Sequence, residues 1–295
     1  MSFAAAAALA VLGPLRAAAG QQVPGRDLFQ FPIGTLAEPA ALASEAGGGF
    51  WNPATLALES GNRMLLSATA LNTPIEQGVS AQLGTVAYRV ATHLTAGLQL
   101  AQSSVGDLLR TDTDPQTLAG EIPYRSTVLS AIAAASRGAT TLGIAVRRRS
   151  GEIDLTSGHA TSIDVGGVVE RPAGLPIRLA GSTFLQSVTG KGDRVTVLGA
   201  AEGILPITAA DVRAGLAYQR DRDSGSEVFG FTSARTKMVE LRGGIARQSA
   251  FGFTTTRLRL GLGLRYARYL VGVSREEGTA GLGSTYQFLL TTVFR

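Results

Sequence analysis

In the stretch TTTRLRLGLGLRYARY, residues 254–269, apolar and polar positions alternate. Leu258, Leu260, Leu262, Leu264 and Tyr266 share one parity, and Arg257, Arg259, Gly261, Gly263, Arg265 and Ala267 share the other. Successive side chains of a strand point to opposite faces, so this pattern predicts a strand with one aliphatic and one basic face. The same period runs through HLTAGLQLAQSS, TTLGIAVR and DVRAGLAYQR, where the second face carries Thr, Gly, Gln, Ala and Arg. Fourteen such segments can be marked: 63–70, 78–90, 93–103, 124–135, 140–149, 161–171, 176–187, 194–203, 208–220, 226–233, 238–248, 254–266, 268–275 and 284–295. Most match the roughly 9–11 residues of a tilted membrane strand.

The connections form a second pattern. Those after even-numbered segments are short, as around His93, Gly138 and Ala267, whereas several after odd-numbered ones are long and polar, among them GDLLRTDTDPQTLAGEIP, SGEIDLTSGHA, DRDSG and SREEGTAGLG. Short turns on one side and long loops on the other are a feature of outer-membrane barrels. A soluble barrel would turn the leucines inward, and a membrane barrel turns them outward. The second face is small and mixed-polar rather than uniformly charged, which suits a confined lumen. The expected fold is therefore all-β: a transmembrane antiparallel up-and-down β-barrel of about 14 strands. Tyr88, Tyr124, Tyr218, Tyr266, Tyr269, Tyr286 and Phe294 fall near segment ends, where interfacial aromatic belts belong. The last segment, STYQFLLTTVFR, is amphipathic and aromatic near its end, which resembles the terminal strand of outer-membrane proteins.

Composition narrows the function classes. Charged residues make up 17%, against about 25% in soluble domains, so the chain is apolar. Beyond the N-terminus it has no apolar run long enough for a membrane helix. The absence of Cys excludes disulfides, thiolate metal sites and cysteine nucleophiles. The formal charge is +5, but the basic residues are spread singly over alternating strands, so nucleic acid is not an expected partner. The two histidines, His93 in a predicted turn and His159 in a predicted long loop, form no recognisable catalytic or metal set; no enzymatic activity, metal or cofactor is expected. Phe3 to Leu12 has the length of a signal-peptide apolar core, and Ala17–Ala19 offer a cleavage site before Gln21, although Arg16 follows the apolar run instead of a cation preceding it. The expected organisation is a leader over 1–20, an N-terminal segment over 21–62 and a barrel over 63–295.

Residues 34–60 do not alternate. Ala37–Ala46 is compatible with a short helix, Gly47–Gly49 with a hinge, and Pro53 bars the following stretch from a central strand. This segment belongs at the periplasmic mouth or inside the lumen as a plug. The small-residue run followed by Trp51-Asn52-Pro53-Ala54, Leu56 and an all-β chain resembles the FadL/PorV superfamily of outer-membrane barrels, with Trp before Asn-Pro-Ala more similar to the PorV/PorQ branch. The resemblance implies a 14-stranded barrel in the outer membrane of a Gram-negative-type bacterium. It implies one of two roles: passage or binding of small hydrophobic or amphipathic molecules, as in FadL, or a non-conducting scaffold or cargo shuttle of a secretion system, as in PorV. A purely structural barrel is the third reading. The expected partners are outer-membrane lipid and, depending on the role, a hydrophobic ligand or secretion proteins. Under the passage reading, Trp51, Asn52 and Pro53 form the plug or gate. Arg147, Arg178, Arg213, Arg242, Arg257, Arg259 and Arg265 then line the lumen, with Asp164 and Glu240 offsetting part of their charge.

Overall fold

The computed structural model describes residues 23–29, 31–45, 47–58, 61–75, 77–111, 118–188, 195–205, 207, 210–221, 225–250, 252–278 and 283–295. The predicted leader lies outside the described residues. The strands are β1 (Met64–Asn72), β2 (Val79–Ala91), β3 (Leu94–Val105), a small separate hairpin of β4 (Leu109–Thr111) and β5 (Leu118–Glu121), β6 (Tyr124–Arg137), β7 (Thr140–Ile153), β8 (Thr156–Glu170), β9 (Ile177–Phe184), β10 (Thr196–Leu205), β11 (Asp211–Asp221), β12 (Gly225–Arg235), β13 (Val239–Ala250), β14 (Phe253–Tyr266), β15 (Tyr269–Glu277) and β16 (Ser284–Phe294). All except β4 and β5 join in one closed antiparallel barrel of fourteen strands. Each pairs with the barrel strands before and after it in the chain, β3 with β6 across the small hairpin, and β1 closes on β16 from Met64 opposite Phe294 to Asn72 opposite Tyr286. The predicted segments all correspond to barrel strands.

The alternation faces the way the mixed-polar second face demanded. Leu260 is 47% exposed on the exterior, whereas the adjacent Arg259 is 5% exposed inside. Val86, Leu98, Leu129, Leu142, Ile144, Leu216, Leu241, Leu262, Val271 and Leu290 extend the same aliphatic exterior around the barrel. Soluble monomers rarely expose contiguous apolar patches beyond a few hundred Å².

Two expectations need correction. SGEIDLTSGHA is not a long loop: β7 continues to Ile153, β8 begins at Thr156, and His159 lies in the ladder opposite Ser150. Thr and Ile there keep the ladder going up to a tight turn at Asp154, whose φ is +52°. With that hairpin and the short links 222–224 and 251–252, length alone does not sort the loops; the long connections 106–123 and 185–195 nonetheless share one mouth, here the long-loop mouth. The stretch 37–45 forms successive turns instead of a helix. Leu36 and Ala37 take positive φ, and Pro39 interrupts the run, so no helical ladder propagates.

Residues 23–58 form an arm inside the barrel. A fourteen-strand barrel is wider than side chains alone can fill, and the arm takes up that space. Arg149 donates to the carbonyls of Val23 and Pro24 at the long-loop mouth, both at 2.9 Å. The arm then descends: Gln287 bonds Gly34 and Pro32, and Arg242, near the short-turn end of β13, donates to Thr35. It turns beside Arg265, rises to mid-height at Phe50 and Trp51, and leaves past Thr95 and Arg89 to start β1. The arm therefore enters and leaves at opposite mouths.

Glycines make room for it. A Cβ at Gly143 would come 2.3 Å from the Pro53 carbonyl carbon, and one at Gly166 would come 2.0 Å from the Asn52 side-chain oxygen. Gly199 has nothing within 4 Å of such an atom. Gly143→Ala should therefore lower the unfolding free energy by about 1–3 kcal/mol, the usual cost of overpacking, and Gly199→Ala should be close to neutral in the same urea titration. Equal effects at both positions would mean that the arm does not press on the wall.

Candidate functional site: a lumen closed by the N-terminal arm

The Trp51-Asn52-Pro53-Ala54 stretch forms the middle of the closure, and each residue has a physical task there. Trp51 is buried against Phe50 and Phe184, with ring centroids 5.2 and 4.4 Å away, and its indole N–H donates to the Ile33 carbonyl at 2.8 Å. Asn52 caps a 3₁₀ turn over Pro53–Leu56 by accepting from the Ala54 N–H at 3.1 Å. Its amide donates back to Ala41 in the arm and across to Gly167 in β8, at 2.8 and 3.3 Å. Pro53 starts the turn, where its missing N–H costs nothing. Phe29, Ile33, Ala41, Phe50 and Trp51 pack with Leu71, Leu83, Val128, Phe184 and Leu198 of the wall as one apolar core.

At the centre lies an ion pair without solvent contact. Arg147 and Asp164 are both 0% exposed, with Nε to Oδ2 at 2.5 Å. Arg147 also donates to Ser130 Oγ at 2.9 Å and to the arm carbonyls of Gly49 and Phe50 at 3.2 and 2.6 Å. The Phe50 and Phe184 rings cover its guanidinium at 5.4 and 5.3 Å. The second oxygen of Asp164 accepts the Gln186 N–H at 2.8 Å. A buried charge is tolerable only with such complete pairing. Arg147, predicted to line a path, is thus a clasp on the arm.

The other predicted arginines also lie inside, in two networks. Near the long-loop mouth Arg257 and Arg259 share Glu227 and Glu276 at 2.5–2.9 Å, and Arg259 lies 4.9 Å over the Phe229 ring. Near the short-turn mouth the charges alternate in a chain. Asp211 meets Arg213 (2.8 Å), Arg213 meets Glu202 (2.9 Å), Glu202 meets Arg178 (2.9 Å) and Arg178 meets Glu38 (3.7 Å). Glu38 then meets Arg242 (3.1 Å), Arg242 meets Glu240 (2.8 Å), Glu240 meets Arg265 (3.2 Å), and Arg265 pairs with Glu45, which stands 3.9 Å from Arg235. Glu38 and Glu45 are the arm's own contributions. Burial holds the Glu38 carboxyl above its usual range, against the pull of Arg242 and Arg178.

The sequence pattern marked the arginines, but not Glu202, Glu227, Glu276, Glu38 or Glu45 as their partners. Inward parity on a strand was the available signal for the first three; nothing local marks the two arm residues. Between arm and wall lie a cavity of about 230 Å³ at the short-turn mouth, lined by Glu38, Glu45, Glu202, Arg178, Arg213 and Arg242 among others, and one of about 50 Å³ beside Pro32, Tyr218 and Arg259. They share no lining residue. A charged lining of this kind does not suit an acyl chain.

No family model and no curated protein matches the chain. Solved structures similar in trace include an engineered protein studied for asymmetric conductivity, at 12% identity and TM-score 0.43 over 79% of this chain and 99% of that one. A triple mutant of the Rhodopseudomonas blastica porin gives the same identity and TM-score over 78% of this chain and 99% of its own. The barrel assignment rests on the closed ladder itself and not on this distant likeness.

Arg147→Met should destabilise the barrel by about 3–5 kcal/mol, because Asp164 would be left charged and dry. The double variant Arg147→Met, Asp164→Leu should recover most of that loss in the same unfolding titration. Additive losses would show that the pair is not coupled.

Proposed function

We propose that the protein is an outer-membrane β-barrel whose lumen is closed by its own N-terminal arm, and that it works as a non-conducting, membrane-anchored binding or adaptor protein, the PorV-like role. The aliphatic exterior supports the membrane reading. An exterior carrying Leu260, Leu241, Leu98 and Leu290 is costly in water and favourable in hydrocarbon. The observation that carries the closed reading is the dry Arg147–Asp164 pair at mid-height, stacked between Phe50 of the arm and Phe184 of the wall. A conducting bore would bring water to that guanidinium.

One observation favours the second reading, gated passage of amphipathic molecules in the FadL manner. The arm adds no strand to the sheet, and side chains such as Glu38 and Glu45 tie it at the short-turn mouth. Such ties are exchangeable, whereas ladder hydrogen bonds are not. The luminal arginines would then line the opened path.

The protein should be recovered from membranes only with detergent, and the native chain in a planar bilayer should give no current steps. Porin-sized steps from the native chain would overturn the closed reading. The double variant Glu38→Arg, Glu45→Arg sets like charges against Arg178, Arg242 and Arg265. If it remains silent while folded, closure does not depend on the lower ties; if it opens, the arm is a gate.

A further inference from the structure

We propose that the short-turn rim carries a binding site for the phosphate headgroup of an anionic membrane lipid, built on Arg268; this rests on the membrane reading above. The turn joining β14 to β15 is Ala267-Arg268, flanked by Tyr266 and Tyr269, and Ala267 has φ +53°. Tyr266 and Tyr269 are both exposed on the exterior, at the edge of the aliphatic band formed by Leu264, Leu262 and Val271. Aromatic residues in that place sit at headgroup depth. The turn therefore puts Arg268 at the level where a lipid presents its phosphate.

The guanidinium is held ready. It lies 5.1 Å over the Tyr269 ring and 5.0 Å over the Phe294 ring of the neighbouring strand, and it donates to the Tyr269 hydroxyl at 2.9 Å. The Arg268 carbonyl is fixed by the Val293 N–H at 3.0 Å. Among the described residues the Tyr269 hydroxyl is the one hydrogen-bond acceptor of the guanidinium, which leaves further N–H groups for a ligand. Among the described residues the ion pairs of the rim join other arginines to carboxylates, and Arg268 has none. An arginine held in place by stacking and lacking a carboxylate partner is suited to a bidentate anion.

A cavity of about 660 Å³ opens beside it, bounded by Arg268, Arg295, Asn62, Tyr269 and Phe294, with Arg265 and Glu45 at its inner edge. Glu45 is already paired with Arg265, so the outer part of the cavity keeps the charges of Arg268 and Arg295. The guanidiniums of Arg268 and Arg295 at this corner, above an aliphatic wall that accepts acyl chains, are complementary to a phosphate monoanion with its tails along Leu264 and Leu290. The short-turn rim faces the periplasm in this orientation, so the lipid is a glycerophospholipid of the inner leaflet.

The test uses the full chain in nanodiscs of phosphatidylcholine with one fifth phosphatidylglycerol, followed by native mass spectrometry of the lipids retained on release. The native protein should retain phosphatidylglycerol in excess of its share. Arg268→Ala should cut that retention about fivefold, and Arg268→Ala with Arg295→Ala further, since each basic residue near an anionic surface contributes about a fivefold preference. Arg268→Lys, which keeps charge but not the planar stack, should fall between. Retention in proportion to the lipid mixture, or retention unchanged by Arg268→Ala in a protein that still shows its folded gel mobility, would overturn the site while leaving the membrane reading intact. A protein that stays in solution without detergent would instead refute the membrane reading. Retention of phosphatidylglycerol only in proportion to its share, together with binding of inorganic phosphate that Arg268→Ala abolishes, would show that the site takes free phosphate and not a lipid.

Discussion

A closed ladder of fourteen strands encloses more space than its own side chains can occupy, and most of this structure follows from how that space is filled. The filling is a stretch of backbone with no strand partners. Every buried N–H and C=O on it that its own turns leave open needs a partner from the wall. Arg147, Arg149, Arg242, Gln99, Gln287 and Ser182 supply those partners, each donating to an arm carbonyl. The polar face of the barrel is therefore the complement of one peptide and not a generic hydrophilic lining. The glycines of the wall belong to the same arrangement, because backbone can approach backbone only where no Cβ intervenes.

The charges obey the same constraint. A wall of guanidiniums facing an apolar arm would be untenable, since desolvating an isolated charge costs several kcal/mol. The structure interleaves carboxylates from the wall and from the arm, so that neighbouring charges near the short-turn mouth are of opposite sign from Asp211 to Arg235. Arginine suits this role better than lysine because its planar fork bridges two carboxylates at once, as Arg259 does between Glu227 and Glu276. Buried ion pairs add little net stability compared with apolar packing, but they tolerate misplacement poorly. Here they fix which residue of the arm meets which strand, while Phe50, Trp51 and Phe184 supply the apolar contact.

Strand alternation made the barrel readable, because in β14 and its neighbours each face answers to a different medium. It failed where the ladder outran the contrast. Glu152 to Ser157 carries polar residues on both faces, so the turn between β7 and β8 resembled a loop. The arginines inside the barrel were readable by parity, and their partners Glu202, Glu227 and Glu276 were available by the same rule. The arm was readable only as a segment that could not be a strand. Its descent from Val23 to Glu45 and return to Trp51 depends on contacts such as Gln287 to Gly34, separated by most of the chain, and no local period encodes those. The luminal glycines were visible in the sequence as small residues on the second face, and the arm's backbone is what they accommodate.

A lumen sealed by its own chain leaves three surfaces for function: the aliphatic belt and the two mouths. On the membrane reading proposed above, the belt meets lipid. At the long-loop mouth Asp27 reaches Tyr124 and Arg26 reaches the Leu185 carbonyl, so the start of the arm is woven into that rim and shapes whatever is recognised there. At the short-turn mouth the alternating charges end in a cavity open to solvent, where Glu38 is already committed to Arg178 and Arg242, and Glu45 to Arg265. A ligand for that cavity must compete with these pairs, which favours a partner carrying both signs of charge over a fatty acid. Because Glu38 and Glu45 belong to the arm, any such competition also bears on how firmly the arm is seated. Any binding of a partner at this mouth would therefore draw on the same set of ion pairs that seats the arm, and the two could not vary independently.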